Sequence, residues 1–379
     1  MSYNTNMKYL IVMDSFKGSL SSLQAGQAAA EGIREIHPDA EVEVLPFADG
    51  GEGTLDALLY NGGQIIECQA EYSDGTPCKA IYGIREDGTA IIESARVVGL
   101  TLIKEVNRDP MHLSTKGIGT LIKDAYSRGV RDFIITLGGS GTNDGGAGML
   151  SELGIKWRDI DGGDIEPTLK GLEQLASIEI PDDVSNMLNS CRFTVACDVT
   201  NPLCGPNGAS VVFGPQKGLK EQDVQIADDI LRGYALLSDI ALNKNNIDAP
   251  GAGAAGGLGY ALISYMNAKM VSGADIVTSA LGLEAKIATA DIVISGEGRV
   301  DRQTLMGKGV GTIKKLVDKY GKRLIILGGS VMDESTLKDA QMEVYSIDPG
   351  NQILEELMDS KNASINIKNM TLKVLSGAM

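Results

Sequence analysis

Residues 291–321 read "DIVISGEGRVDRQTLMGKGVGTIKKLVDKYG": a short β-branched run, a glycine-rich turn crowded with opposing charges, then a helical pattern that Gly321 closes as the residue past the last turn. The same unit recurs along the chain. "KYLIVMD" (8–14) leads into "SFKGSLSSLQAGQAAAEGIREI" (15–36), where Ser21 and Gln24 fit a capping box and Leu20, Leu23, Ile33 and Ile36 form a helical stripe. "VEVLPFA" (42–48) leads to "DGGEGTLDALLYNGG", and "RDFIITL" (131–137) leads to "GGSGTNDGGAGMLSELG". "RLIILGGS" (323–330) and "MEVYSID" (342–348) supply two more strands. Short apolar strands alternating with helices predict parallel βαβ units and an α/β fold. In such sheets ligands sit beyond the carboxyl ends of the strands, where the glycine-rich loops fall.

Residues 65–93 differ: short strands alternate with turn residues and leave no room for helices, which predicts an antiparallel segment opening a second domain. Residues 157–192 are polar and irregular and read as decoration of that domain. The expected organisation is a discontinuous parallel-sheet domain, 1–65 plus 285–379, and a second α/β domain with a mixed sheet, 66–284. A chain of 379 residues is long enough for two cores.

Composition narrows the function. Mean hydropathy is near zero, and no run approaches the roughly 18–20 apolar residues of a membrane span. The first fifteen residues lack a basic segment followed by a long apolar one, so a cytoplasmic location is expected. A net charge of −16 speaks against nucleic-acid or anionic-membrane partners. Five cysteines without a C-x-x-C pair and only two histidines, His37 and His112, make a zinc site or a histidine-based nucleophile a poor reading.

The loops carry the chemistry. "GGSGTNDGGAG" (138–148) follows a strand, so backbone N–H groups of Gly138, Gly139 and Ser140 can form an anion-binding nest. Thr142 or Asn143 would cap the next helix, and Asp144 would lie in its first turn, available to a cation or merely complementing the helix dipole. "MDSFKG" (13–18) and "DGGEG" (49–53) put Asp14, Asp49 and Glu52 at strand ends, suited to Mg²⁺ shared with substrate phosphates, while Lys17 could reach a phosphate. "ACDVTNPLCG" (196–205) adds Asp198 on a loop fixed by Pro202. In the opening stretch, Gly296 and Gly298 would let a polyanion approach the backbone, and Arg299 and Lys308 would offset its charge. Glu297 would serve a cation, and Asp301 is the leading candidate to accept a hydroxyl proton. The plainer alternative is an Arg299–Asp301 pair that closes the loop. Phosphoryl transfer depends mainly on positioning and charge, and runs without histidine or cysteine. "GAGAAG" (251–256) has the dinucleotide fingerprint spacing, but "NNIDAP" before it is no strand, so a close-packed loop is the better reading and a nicotinamide oxidoreductase the weaker alternative. A non-catalytic binding protein for small carboxylates is a third class, disfavoured by the surplus of strand-end carboxylates.

Six stretches in order, "MDSFKGSLSS", "PFADGGEGT", "LGGSGTNDGGAGML", "ACDVTNPLCGPNGAS", "GAAGGLGYAL" and "SGEGRVDRQTLMGKG", resemble the bacterial glycerate kinase family from about Lys8 to the C-terminal strands. That resemblance implies ATP-dependent phosphorylation of D-glycerate, with 2-phosphoglycerate the favoured product. It further implies two α/β domains, one Rossmann-like and discontinuous, with the active site in the cleft between them. Residues matching the family's motifs are Asp14, Ser15, Lys17, Asp49, Glu52, Asn143, Asp144, Asp198, Glu297, Arg299, Asp301 and Lys308.

Overall fold

The computed structural model describes residues 7–301, 304, 309–332 and 343–378. The apolar runs fold as strands because each is rich in β-branched residues, too short for a helix and bounded by turn residues. By contacts the chain divides into two compact units. Unit 1 comprises Met1–Asp49, Asp56–Asn61 and Ala274–Met379, and unit 2 comprises Gly50–Leu55 and Gly62–Gly273. The crossings differ from the expected 65/66 and 284/285. Asp56–Asn61 and the helix Gly273–Leu281 belong almost wholly to unit 1, where the Asn61 side-chain amide donates to Ala280 O at 2.9 Å.

Unit 1 is built on a five-stranded, all-parallel sheet. β1 (Lys8–Met13), β2 (Glu41–Pro46), β11 (Ile292–Val300), β12 (Arg323–Val331) and β13 (Glu343–Ser346) stand in the order β13-β12-β11-β1-β2. β1 is buried on both faces after its first residue, as a central parallel strand must be. Each buried side chain such as Ile11 or Ile294 contributes about 1.5–3 kcal/mol. The helix Ser22–Ile36 begins with the expected capping box: Gln24 N–H donates to Ser21 Oγ, and Ser21 N–H donates to Gln24 Oε1. Its small residues let it lie close to the helix Ser360–Leu375; a Cβ on Gly32 would stand 2.7 Å from Lys368 O. Ser22 Oγ donates to Met13 O and accepts Phe47 N–H, which ties the carboxyl ends of β1 and β2 together. On the C-terminal side, Val310–Lys319 is helical and Gly321, with φ of 59°, follows its end as expected.

Unit 2 carries a six-stranded mixed sheet of β3 (Gln64–Glu71), β4 (Pro77–Ile84), β5 (Ala90–Glu93), β6 (Asp132–Thr136), β9 (Arg192–Ala196) and β10 (Lys269–Val271). The order is β10-β9-β6-β5-β4-β3. β3, β4 and β5 are antiparallel, as residues 65–93 predict, and β5, β6, β9 and β10 are parallel. The 157–192 region is more ordered than its polarity suggests: β7 (Lys156–Arg158) pairs with β8 (Ser177–Glu179), and Asp182–Asn189 is helical. Trp157, Tyr234 and Tyr260 meet edge-to-face in the core, their polar atoms satisfied by Ala147 O, Gly145 O and Ala235 O. No described helix is long and apolar enough to cross a membrane.

Candidate active site

In unit 1 the strand order reverses direction at β1. The chain passes from β1 to β2 on one side, while β11, β12 and β13 extend on the other. The crevice beyond the carboxyl ends of β1 and β11 is therefore the expected ligand position. Asp14 leaves β1 there, its N–H donating to Gly296 O at 2.8 Å and its Oδ1 accepting Ser15 N–H at 2.6 Å. The next residues form a tight turn, with Phe16 N–H bonded to Leu20 O and Gly18 at φ of 80°, which leaves Lys17 exposed at its tip. Burial, then the charges of Asp49 and Glu297, push the Asp14 carboxyl up to about 7. Glu297 is raised as well, by burial and by Asp301 and Asp49, although the Thr304 hydroxyl bonded to its Oε1 at 2.7 Å opposes this.

The expected loop after "DIVIS" is corrected by the structure. β11 continues to Val300 in register with β12, Glu297 opposite Gly328 and Arg299 opposite Ser330, and no helix begins at residue 296. The glycines serve strand pairing rather than open access. A Cβ on Gly296 would lie 2.2 Å from Leu327 O, and one on Gly329 would lie 2.5 Å from Gly298 O. Gly298 packs beside Phe16 and Lys17. Arg299 Nε lies 3.3 Å from Asp301 Oδ2 with its own side chain 65% exposed, which is the loop-closing pair. Lys308 lies outside the described residues.

In unit 2 the carboxyl ends of β5, β6 and β9 gather Glu93, Ser94, the loop from Gly138 and Asp198. Glu93, 1% exposed, accepts N–H groups of Gly53 and Leu55 and faces the Arg96 guanidinium at 3.4 Å, which anchors the "DGGEG" turn. Glu52 is exposed on that turn, and Asp49 is half-buried in unit 1. Asp198 Oδ1 accepts Gly273 N–H at 3.1 Å, linking the ends of β9 and β10.

Asp144 does not fit the metal role expected of it. It is wholly buried, and its carboxylate accepts Thr115 N–H, Thr115 Oγ–H, Gly146 N–H and Gly148 N–H at 2.7–3.1 Å. The N-cap of the helix Ala147–Leu153 is Gly146, and Asp144, rather than Thr142 or Asn143, accepts a first-turn N–H, that of Gly148. Asn143 Nδ2 donates instead to Ser210 Oγ. "GAGAAG" supports this loop from behind: Gly145 N–H donates to Gly256 O, and a Cβ on Gly256 would stand 2.0 Å from Thr142 O. That is the close-packed reading. Sequence reasoning missed Lys217, a residue only 2% exposed, whose Nζ donates to Ser140 Oγ at 3.1 Å and Thr142 O at 2.7 Å. In "FGPQKG" it looks like an ordinary turn lysine, and only tertiary packing buries it.

The donor set suits a hard divalent cation only in part. The charge of Asp49 acts on both Asp14 and Glu297, yet no group of three or more His, Cys, Asp and Glu among the described residues is arranged to hold a metal unaided. One or two carboxylates completed by phosphate oxygens match the usual Mg²⁺ arrangement.

Residues 9–377 match the glycerate kinase family. The chain is 41% identical to a glycerate kinase of Bacillus subtilis over 357 residues, 93% of each chain. It is 44% identical to glycerate 2-kinase of Escherichia coli K12 over 331 residues, 86% of each. The crystal structure of a protein assigned as glycerate kinase 2 from Salmonella typhimurium LT2 superposes with a TM-score of 0.85 at 41% identity, covering 99% of this chain and 98% of that one.

Proposed function

The chain belongs to the glycerate kinase family, and from that premise we propose that it phosphorylates D-glycerate with ATP and Mg²⁺ to give 2-phosphoglycerate, a reaction of the cytoplasm. The observation that carries the site is the group Asp14, Asp49 and Glu297 at the reversal point of the parallel sheet in unit 1. Asp14 and Glu297, both raised by burial and by the charge of Asp49, suit a centre that works with a cation and a proton.

In the reaction the C2 hydroxyl oxygen of glycerate bonds to the γ-phosphorus, the bond from that phosphorus to the ADP oxygen breaks, and the hydroxyl proton needs an acceptor. Asp14 is the better acceptor. Its surroundings bring it near working pH, whereas Asp301 is held by Arg299. Asp49 and Glu297 would hold Mg²⁺, which offsets charge on the transferring phosphoryl group when bound. Lys17, exposed on its turn, neutralises phosphate charge, as does Arg299. Residues 138–143 receive an anionic group, and Asp198 orders the neighbouring strand end.

The test is a coupled assay with ATP, MgCl₂ and D-glycerate, with 2- and 3-phosphoglycerate separated by chromatography. ADP should form with 2-phosphoglycerate one for one, cease in excess EDTA and resume with Mg²⁺. Full turnover in EDTA refutes the metal role, and accumulation of the 3-isomer refutes the regiochemistry.

A further inference from the structure

A lysine ammonium is almost never fully buried without a partner of opposite charge, yet Lys217 Nζ sits between a serine oxygen and a carbonyl oxygen. Its third proton and most of its charge are left to its surroundings. Asp144 is the charged group acting on it from the loop. Arg108 lies on the segment against Gly218, and the Tyr234 hydroxyl, from the helix Glu221–Leu242, is bonded to Gly145 O. Because Ser140 Oγ accepts from Nζ, the Ser140 hydroxyl must donate away from the lysine. On this loop and at the adjoining carboxyl ends of β5 and β6 are buried polar atoms with no hydrogen-bond partner: the Oγ atoms of Thr142 and Thr136, Ser94 Oγ and Asn143 Oδ1. Such atoms are costly unless something satisfies them.

We propose that Lys217 is a positioning residue beneath an anion-binding loop, holding the Ser140 lone pair so that its hydroxyl, with those of neighbouring residues, meets an oxygen of a carboxylate or phosphate on residues 138–143. The identity of the anion, D-glycerate or ATP, rests on the glycerate kinase reading. Burial pulls the Lys217 ammonium down to about 7, against the Asp144 charge that supports it. An arriving anion strengthens the protonated form, so binding near pH 7.5 draws a fraction of a proton from solution and weakens as pH rises.

The experiment is calorimetric titration at pH 7.5 in two buffers of different ionisation enthalpy, with D-glycerate and MgATP added separately. Wild type should take up part of a proton with one of the two ligands. Lys217→Met should take up less by that amount and bind the same ligand on the order of tenfold or more weakly, with affinity for the other unchanged. The ligand affected tells carboxylate from phosphate. Lys217→Arg, whose charge does not titrate, should abolish the uptake while keeping much of the affinity, and it serves if Lys217→Met fails to fold. No uptake by wild type with either ligand, or unchanged uptake in either variant, overturns the proposal. A wild type that binds with proton uptake but does not phosphorylate D-glycerate refutes the family-based reading alone.

Discussion

Asp14 carries two readable consequences. Its folded carboxyl titrates at about 7 instead of the ordinary carboxylate value. Between about pH 4 and 7 the folded chain thus holds a proton that the unfolded chain has released, so stability falls as pH rises through that window and levels off above it. Asp14→Asn removes this penalty. Its melting temperature should nearly equal wild type near pH 4.5 and exceed it at pH 8, as scanning calorimetry at the two pH values can check. The same substitution should lower kcat by on the order of 10²-fold or more, whereas Asp301→Asn should stay within a few-fold. The reverse order in steady-state kinetics returns the proton-accepting role to Asp301.

At the scale of elements, the loop before the helix Ala147–Leu153 depends on one carboxylate. Asp144→Ala leaves four donors unpaired in a dry interior, and should cost at least about 3 kcal/mol in urea denaturation. A loss below 1 kcal/mol would mean that water replaces it. The elements themselves were largely legible. β1 and β6 are apolar runs closed within two residues by Asp14 and Gly138, and the Ser21–Gln24 box sits where the spacing puts it. The extension of β11 was not legible, because glycine weakens a strand in isolation. Its justification is the equally glycine-rich β12, Gly296 against Leu327 and Gly298 against Gly329, a fit that exists only once the two are paired. Lys217 and Asp144 were hidden for a related reason. A lysine in a turn and an aspartate before a helix are ordinarily solvated, and only burial by segments distant in sequence gives them their roles.

Over the whole molecule, the two units have unequal claims to independence. Unit 2 is nearly continuous in sequence, and unit 1 is assembled from its beginning and its end. A fragment spanning residues 50–273 should melt cooperatively in circular dichroism, while one spanning residues 1–61 should show no transition. The opposite result would place the folding nucleus in unit 1. The interleaving also sets a schedule for the ribosome. β1 lies between β2 and β11, and Tyr9 must wait for Ile292 before the ladder with β11 can close. At translation rates of about 5–20 residues per second the wait is roughly 15–60 s. Throughout it, one edge of an almost wholly apolar strand has no native mate, so the half-made chain is a natural client for a nascent-chain chaperone long before the finished enzyme meets a substrate.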